Sequence, residues 1–362
     1  MPASKINFSM IFRLTLLCVF ALSAFAQNQR AVTITTPSKV DSTRAALVQH
    51  VWGASWETVT AKQPRLVDHR YKPQSDDALP TSISNLESVD RLDVGGTVAS
   101  TAFILYPSKS NLHKAVIVHH GHACDLLDQG NHPVHLEYLI RKLVGAGYTV
   151  AAMRMPLYQS PAHCGASRAH DKLFVLHPKS GTAIQFFMEP VARTVNYLAA
   201  HHADLKEIDM VGLSGGGWTT TVYAAIDPRI VKSFPVAGTL PLYLRGAHYN
   251  HDLEQYVPAL YQVANYKDLY VLGAAGNGRL QLQILNRYDD CCFGEKEHTV
   301  GPPPFTQAIR EYQHDVQNAL SQLKKGTFAL HLDQSAHYHQ ISTEAIDKVI
   351  LPVLGGAAPP TT

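Results

Sequence analysis

The sequence predicts an α/β fold in which a mostly parallel central sheet is flanked by helices. Short apolar runs of strand length alternate along the chain with amphipathic, helix-compatible stretches. One such run ends in Gly212-Leu213-Ser214-Gly215-Gly216-Gly217 and passes directly into a helix-compatible segment, the strand–turn–helix setting of a sharp elbow. Finally, 362 residues of which 46% are hydrophobic and 17% charged can bury a sizeable core, and the composition is unlike that of disordered, collagen-like or coiled-coil chains.

The elements follow in order. Residues 1–26 are expected to be a secretory signal: Lys5 and Arg13 make a positive start, residues 16–25 are apolar apart from Ser23, and Ala24-Phe25-Ala26 offers a small-residue site for cleavage after Ala26. That apolar run is shorter than the ~20 residues a bilayer span needs, so no stable membrane insertion is expected after cleavage. The chain has 31 Lys and Arg against 29 Asp and Glu, and removal of the leader takes two of the bases and no acid. A formally neutral chain has no electrostatic footprint for nucleic acid. Four cysteines remain, Cys124, Cys164, Cys291 and Cys292, and an even number in an exported chain fits disulfides. A bond within the vicinal pair would strain the backbone, so at least one bridge from Cys291 or Cys292 to Cys124 or Cys164 is expected.

Residues 27–85, with a helix over 42–52 and a polar stretch over 72–84, are expected to wrap the core. The core domain spans 86–354. It opens on a hairpin, 86–94 and 98–106 about Gly95-Gly96. Buried strands follow at 115–118, 148–153, 208–213, 231–237 and 327–332, with a helix over 136–144. Residues 269–285 are ambiguous, because 269–272 and 281–285 both read as strands on either side of a glycine-rich bend. Between 241 and 268 a small cap insertion is expected, carrying Tyr243, Tyr249, Tyr256, Tyr261 and Tyr266, which could line a pocket or fill a helical core. Residues 355–362 form a frayed tail.

The elbow carries the chemistry. Its turn is so tight that Gly212 and Gly216 are required at its flanks, while Ser214 is held exposed above the sheet at the N-terminus of a helix, where developing negative charge is favoured. A serine needs a base, and the base needs an orienting acid; in such elbows the order is serine, acid, histidine, each after a later strand. The loop after the last strand offers His337 and His339, of which His339 is preferred because it stands three residues before Ser342, the N-cap of the final helix. The preceding strand, 281–285, runs into Asp289 and Asp290, with Asp289 preferred as nearer its end and Asp333 an outsider. Oxyanion donors are expected from the backbone of Gly215 and from His122 or Ala123, in the loop His119-His120-Gly121-His122. These histidines, and the pair His337 and His339, could suggest a metal site, but they also fit the serine plan, and neither metal nor cofactor is expected.

The order of H-G loop, G-x-S-x-G elbow, acid and histidine on alternating strands and helices resembles the α/β-hydrolase superfamily over about residues 86–354. Met155-Pro156-Leu157-Tyr158, residues 212–218 and residues 288–293 are most similar to its secreted esterase-like members, a poorly characterised group. The resemblance implies hydrolysis through an acyl-enzyme, with Ser214 attacking and Asp289 and His339 as its expected acid and base; it does not imply a substrate, and an exported hydrolase of a small-molecule carboxylic ester is the main expectation. A peptidase or amidase on the same residues, an inactive hydrolase used as a binding module, and a metal-binding protein are the rival readings. Substrate and oligomeric state are not read from the sequence.

Overall fold

The computed structural model describes residues 29–74, 79–80, 82–109, 113–122, 135–158, 170–202, 204–245, 252–297 and 303–360. The expected signal, Ala123, Cys124, Cys164 and Tyr249 lie outside the described residues.

A nine-stranded sheet organises the chain: β1 (Arg65–Asp68), β2 (Leu86–Asp93), β3 (Thr101–Pro107), β4 (Lys114–His119), β5 (Thr149–Met153), β6 (Glu207–Leu213), β7 (Ile230–Val236), β8 (Leu280–Asn286) and β9 (Thr327–Asp333). Its order is β1-β2-β3-β5-β4-β6-β7-β8-β9. The pairs β1–β2, β2–β3 and β3–β5 are antiparallel, and all the others are parallel.

Register decides what can meet at the sheet's edge. His119, the last residue of β4, stands beside Gly212 of β6, Leu213 stands beside Val236 of β7, and Asn286 stands beside Asp333 at the ends of β8 and β9. Parallel strands with matched ends deliver their following loops to one side of the sheet, the usual place for ligands in such folds.

Strand alternation builds two apolar layers. In β4, Ala115 and Ile117 face helices α1 (Pro37–Trp52), α3 (Gln185–His201), α4 (Gly215–Ile226), α5 (Tyr266–Ala274) and α6 (Phe305–Leu323), while Val116 and Val118 face α2 (Leu136–Gly145) and the C-terminal helical run over 343–354. The C-terminal run starts at Ser342, as expected of an N-cap: its Oγ accepts the Ala345 N–H at 2.9 Å and donates to Asp333 Oδ2 at 2.5 Å.

Two arginines, the half-buried Arg44 and the buried Arg279, close the far ends of α4 and α5. Arg44 donates to the carbonyls of Ala225, Leu272 and Ala275, and Arg279 donates to those of Ala224, Leu272, Ala275 and Ile230. Last-turn carbonyls have no partner within their own helix and carry negative partial charge, so a guanidinium satisfies them twice over.

The ambiguous region divides at the glycine-rich bend. Residues 269–272 are helical within α5, and Gln281–Leu285 belong to β8. The opening hairpin is wider than the sequence suggests, because the N–H groups of Val94 and Gly95 both donate to the Ser100 carbonyl and end the pairing there. In the segment between β7 and β8, Tyr261 and Tyr266 are core: their hydroxyls are 2.7 Å apart, and Trp218 Nε1 donates to Tyr261 Oη at 2.9 Å.

Candidate active site

At the elbow, Ser214 sits at φ 59° and ψ −124°, a conformation that costs a non-glycine residue on the order of 1–3 kcal/mol and persists only where its surroundings enforce it. Two hydrogen bonds do so. The Ser214 N–H donates to the Val236 carbonyl at 3.0 Å, and the Ser214 carbonyl accepts the Trp218 N–H at 2.9 Å. The loop after β4 presses on the turn from the other side. A Cβ at position 216 would stand 2.1 Å from the His119 carbonyl oxygen, and one at position 121 would stand 2.6 Å from Ser214 Cβ, so both positions require glycine. Ser214 itself remains half-buried.

The loops after β8 and β9 are clipped together. Asp289, 1% exposed, places Oδ2 at 2.8 Å and Oδ1 at 3.1 Å from His339 Nδ1. Its Oδ1 also accepts the N–H groups of Cys291 and Cys292 at 2.9 and 2.8 Å. Asp290 accepts the backbone N–H of His339 at 3.0 Å, and Asn286 Nδ2 donates to the carbonyls of Tyr338 and Gln340 at 3.3 and 2.7 Å. The imidazole is therefore aimed from three sides. His339 Nε2 is buried and has no hydrogen-bond partner among the described residues. His337 is exposed and stacks on Tyr288, with centroids 5.5 Å apart. The Asp333 carboxylate is engaged by Ser335 and Ser342 in its own loop.

The expected cysteine pairing is corrected here. Cys291 and Cys292 are bonded to each other. The Asp289 carboxylate draws both of their amides inward, which turns the chain tightly enough to bring the two sulfurs together. The partners expected for them, Cys124 and Cys164, lie outside the described residues.

On the opposite side of Ser214, the His122 ring lies on Gly215, where an added Cβ would stand 2.6 Å from His122 Cε1. His122 Nε2 is 3.1 Å from His170 Nδ1, 3.4 Å from Glu254 Oε1 and 3.5 Å from Asp252 Oδ2. His170 Nδ1 is 2.9 Å from Glu254 Oε1, and His170 Nε2 is 3.0 Å from the Pro156 carbonyl. Burial alone would lower the His122 pKa, but the carboxylates of Glu254 and Asp252 outweigh it and raise it. Burial would raise the Glu254 pKa, yet the two rings hold it well below the usual carboxylate range. His119, buried in the same loop, is pushed down to about 4 by desolvation.

The sequence pointed to neither His170 nor Glu254. They lie 48 residues beyond His122 and a further 84 beyond that, outside any motif, so nothing local announces their meeting. Among the described residues, the groups that could hold a metal are His122, His170 and Glu254, and His339 with the bonded cysteines.

No protein-family model matches the sequence, and no curated protein does. Solved structures are similar in three dimensions. The methylesterase BT1017 superimposes with a TM-score of 0.53 at 16% identity over 85% of this chain, which spans 61% of that protein's length. The acetyl xylan esterase from Paenibacillus sp. R4 gives 0.50 at 14% identity over 92% of this chain and 99% of its own. The glucuronoyl esterase from Solibacter usitatus gives 0.50 at 12% identity, covering 83% and 88%. With the mostly parallel sheet, the helices on both faces and the elbow after β6, these likenesses identify the chain as having the α/β-hydrolase fold.

Proposed function

We propose that the chain is an exported serine hydrolase that cleaves a small-molecule carboxylic ester through an acyl-enzyme. The observation that carries this reading is the Asp289–His339 pair, with His339 Nε2 buried and unpartnered, on the sheet edge that also bears the strained Ser214. Asp289 accepts the hydrogen of Nδ1, which leaves Nε2 as the basic nitrogen. Ser214 Oγ attacks the ester carbonyl and gives its proton to Nε2. The tetrahedral oxyanion receives the backbone N–H groups of Gly215 and His122, close to the N-terminus of α4. The imidazolium then protonates the departing alcohol, and water repeats the sequence on the acyl-enzyme to release the acid.

The fold's ester-cleaving neighbours support ester over amide chemistry, and the leader sequence supports export. The test is release of p-nitrophenol from short acyl esters beside p-nitroanilide amides, with Ser214→Ala as control and a fluorophosphonate as active-site label. The expected result is ester turnover, label on Ser214 alone, and a loss of about 10⁴- to 10⁶-fold in the variant. Full activity in Ser214→Ala, or turnover of the amides only, would refute the proposal.

A further inference from the structure

Three ligand-type atoms from distant segments converge beside the elbow. His122 Nε2 and His170 Nδ1 are 3.1 Å apart, His170 Nδ1 and Glu254 Oε1 2.9 Å, and His122 Nε2 and Glu254 Oε1 3.4 Å. Two donor atoms bound to one tetrahedral ion at roughly 2.0–2.1 Å stand about 3.3 Å apart, so the cluster already has the dimensions of a coordination shell. Asp252 Oδ2, 3.5 Å from His122 Nε2, lies at its edge.

Proton counting separates a metal site from an ordinary hydrogen-bonded cluster. The Pro156 carbonyl can only accept, so His170 carries a hydrogen on Nε2. A neutral ring then turns a bare Nδ1 lone pair toward a carboxylate oxygen 2.9 Å away. One hydrogen, on His170 Nδ1 or on His122 Nε2, has to serve a point where the other nitrogen and Glu254 Oε1 both wait, and either choice leaves Glu254 Oε2 buried without a partner among the described residues. No lysine or arginine reaches Glu254 among the described residues, where its ion-pair partners are the two histidines. A buried carboxylate compensated so thinly is costly. One divalent ion at the common point takes a lone pair from each of the three atoms and neutralises the carboxylate. The His170 Nε2–H to Pro156 bond is also the second-shell contact that a metal-bound imidazole ordinarily makes.

We propose that His122 Nε2, His170 Nδ1 and the Glu254 carboxylate bind a divalent first-row transition ion, zinc by the match of imidazole and carboxylate donors. This departs from the metal-free chain expected from the sequence. The ion would clamp the loop after β4, the loop after β5 and the segment before the short helix Pro258–Val263 to one another, and so hold His122 against Gly215. That positioning role rests on the oxyanion reading above; the binding site does not, and it is measured without turnover.

The experiment uses the full chain, purified without a polyhistidine tag and stripped with a chelator. Zinc is titrated back by calorimetry, with the thermal midpoint followed in parallel, and cobalt is added as a spectroscopic probe. The expected result is one ion per chain, a rise in Tm of roughly 4 °C at saturating zinc, and visible absorption bands of tetrahedral cobalt. Glu254→Gln keeps the side chain's size and should weaken binding at least 10- to 100-fold. His170→Ala, whose buried position could compromise folding, is read only where its circular dichroism is native. A stripped chain that takes up neither zinc nor cobalt and does not change in Tm overturns the proposal. So does cobalt absorption that survives Glu254→Gln unchanged.

Discussion

Two histidine–carboxylate clusters stand in the loops that follow the parallel strands, built from the same residue types with opposite economies of protons. In the Asp289–His339 pair every acceptor has a donor: two backbone amides and one imidazole Nδ1 meet a single carboxylate, and one nitrogen, His339 Nε2, is left over. In the His122, His170 and Glu254 cluster three groups share too few hydrogens, and what is left over is a carboxylate oxygen. A surplus basic nitrogen suits proton transfer, whereas a surplus of lone pairs suits a cation. Residue type alone does not decide between these; the count of donors around each group does.

The comparison is broken most directly on the proton-transfer side. His339→Ala should lower kcat by about 10³-fold or more, whereas His337→Ala, which loses only a stack on Tyr288, should change it little. Both are to be assayed on one ester after a check for a native thermal transition. An inactive His337→Ala beside a normal His339→Ala would move the base by two residues. Next in size, Asp289→Asn should cost about 10⁴-fold in kcat with KM little changed, since an amide can donate to Nδ1 and hold the wrong tautomer. A variant within tenfold of the parent would show that Asp290 or another group does the orienting.

The acid limb of stability sharpens the other side. His119 titrates near 4 in the folded chain because burial disfavours its charged form, against about 6.5 when unfolded. The unfolded chain therefore binds more protons between these values, and stability, complete above pH ~6.5, falls as pH drops toward 4 by on the order of 3 kcal/mol. His119→Asn, whose amide nitrogen can replace Nδ1 as donor to the His120 carbonyl, should flatten that limb in pH-dependent urea melts. An unchanged slope would assign the loss to other groups. The smallest effect expected is at Ser342, which both caps the C-terminal run and ties it to Asp333. Ser342→Ala should cost roughly 0.5–2 kcal/mol in denaturant midpoint experiments and leave KM unchanged, because the His339 loop is also held by Asn286 and Asp290.

How much could be read in advance follows from the distance over which each feature is encoded. The strands are local: short apolar runs bounded by polar residues fall in the sheet because both of its faces are covered. Ser214 is local too in part: the crowding that demands Gly212 comes from Gly216, four residues on, whereas Gly216 itself is demanded by the His119 carbonyl of the distant loop after β4. The meeting of Asp289 with His339 required only that β8 and β9 be neighbours, which their succession in the chain already suggested. The vicinal disulfide was misjudged because backbone strain was weighed without the carboxylate that folds the turn around itself. Helix α5 was read as a possible strand because residues 269–272 are continuously apolar; α5 is buried on every side, and such a run has the same appearance in either state. His170 and Glu254 belong to loops whose approach is set by tertiary packing and by nothing in their own neighbourhood.

The arginine closures have a bearing on where the chain can be cut. Arg44 belongs to α1, yet its guanidinium finishes the helix that begins at Ser214, and Thr33 donates its N–H to Asp268 of α5 at 2.7 Å. A version begun near residue 86, at the first long strand, would keep the whole parallel half of the sheet but strip the last turns of α4 and α5 of one of their two arginines. A fragment that keeps these ties has to begin ahead of Thr33, because residues 33–44 finish helices that the sheet's own half of the chain leaves open.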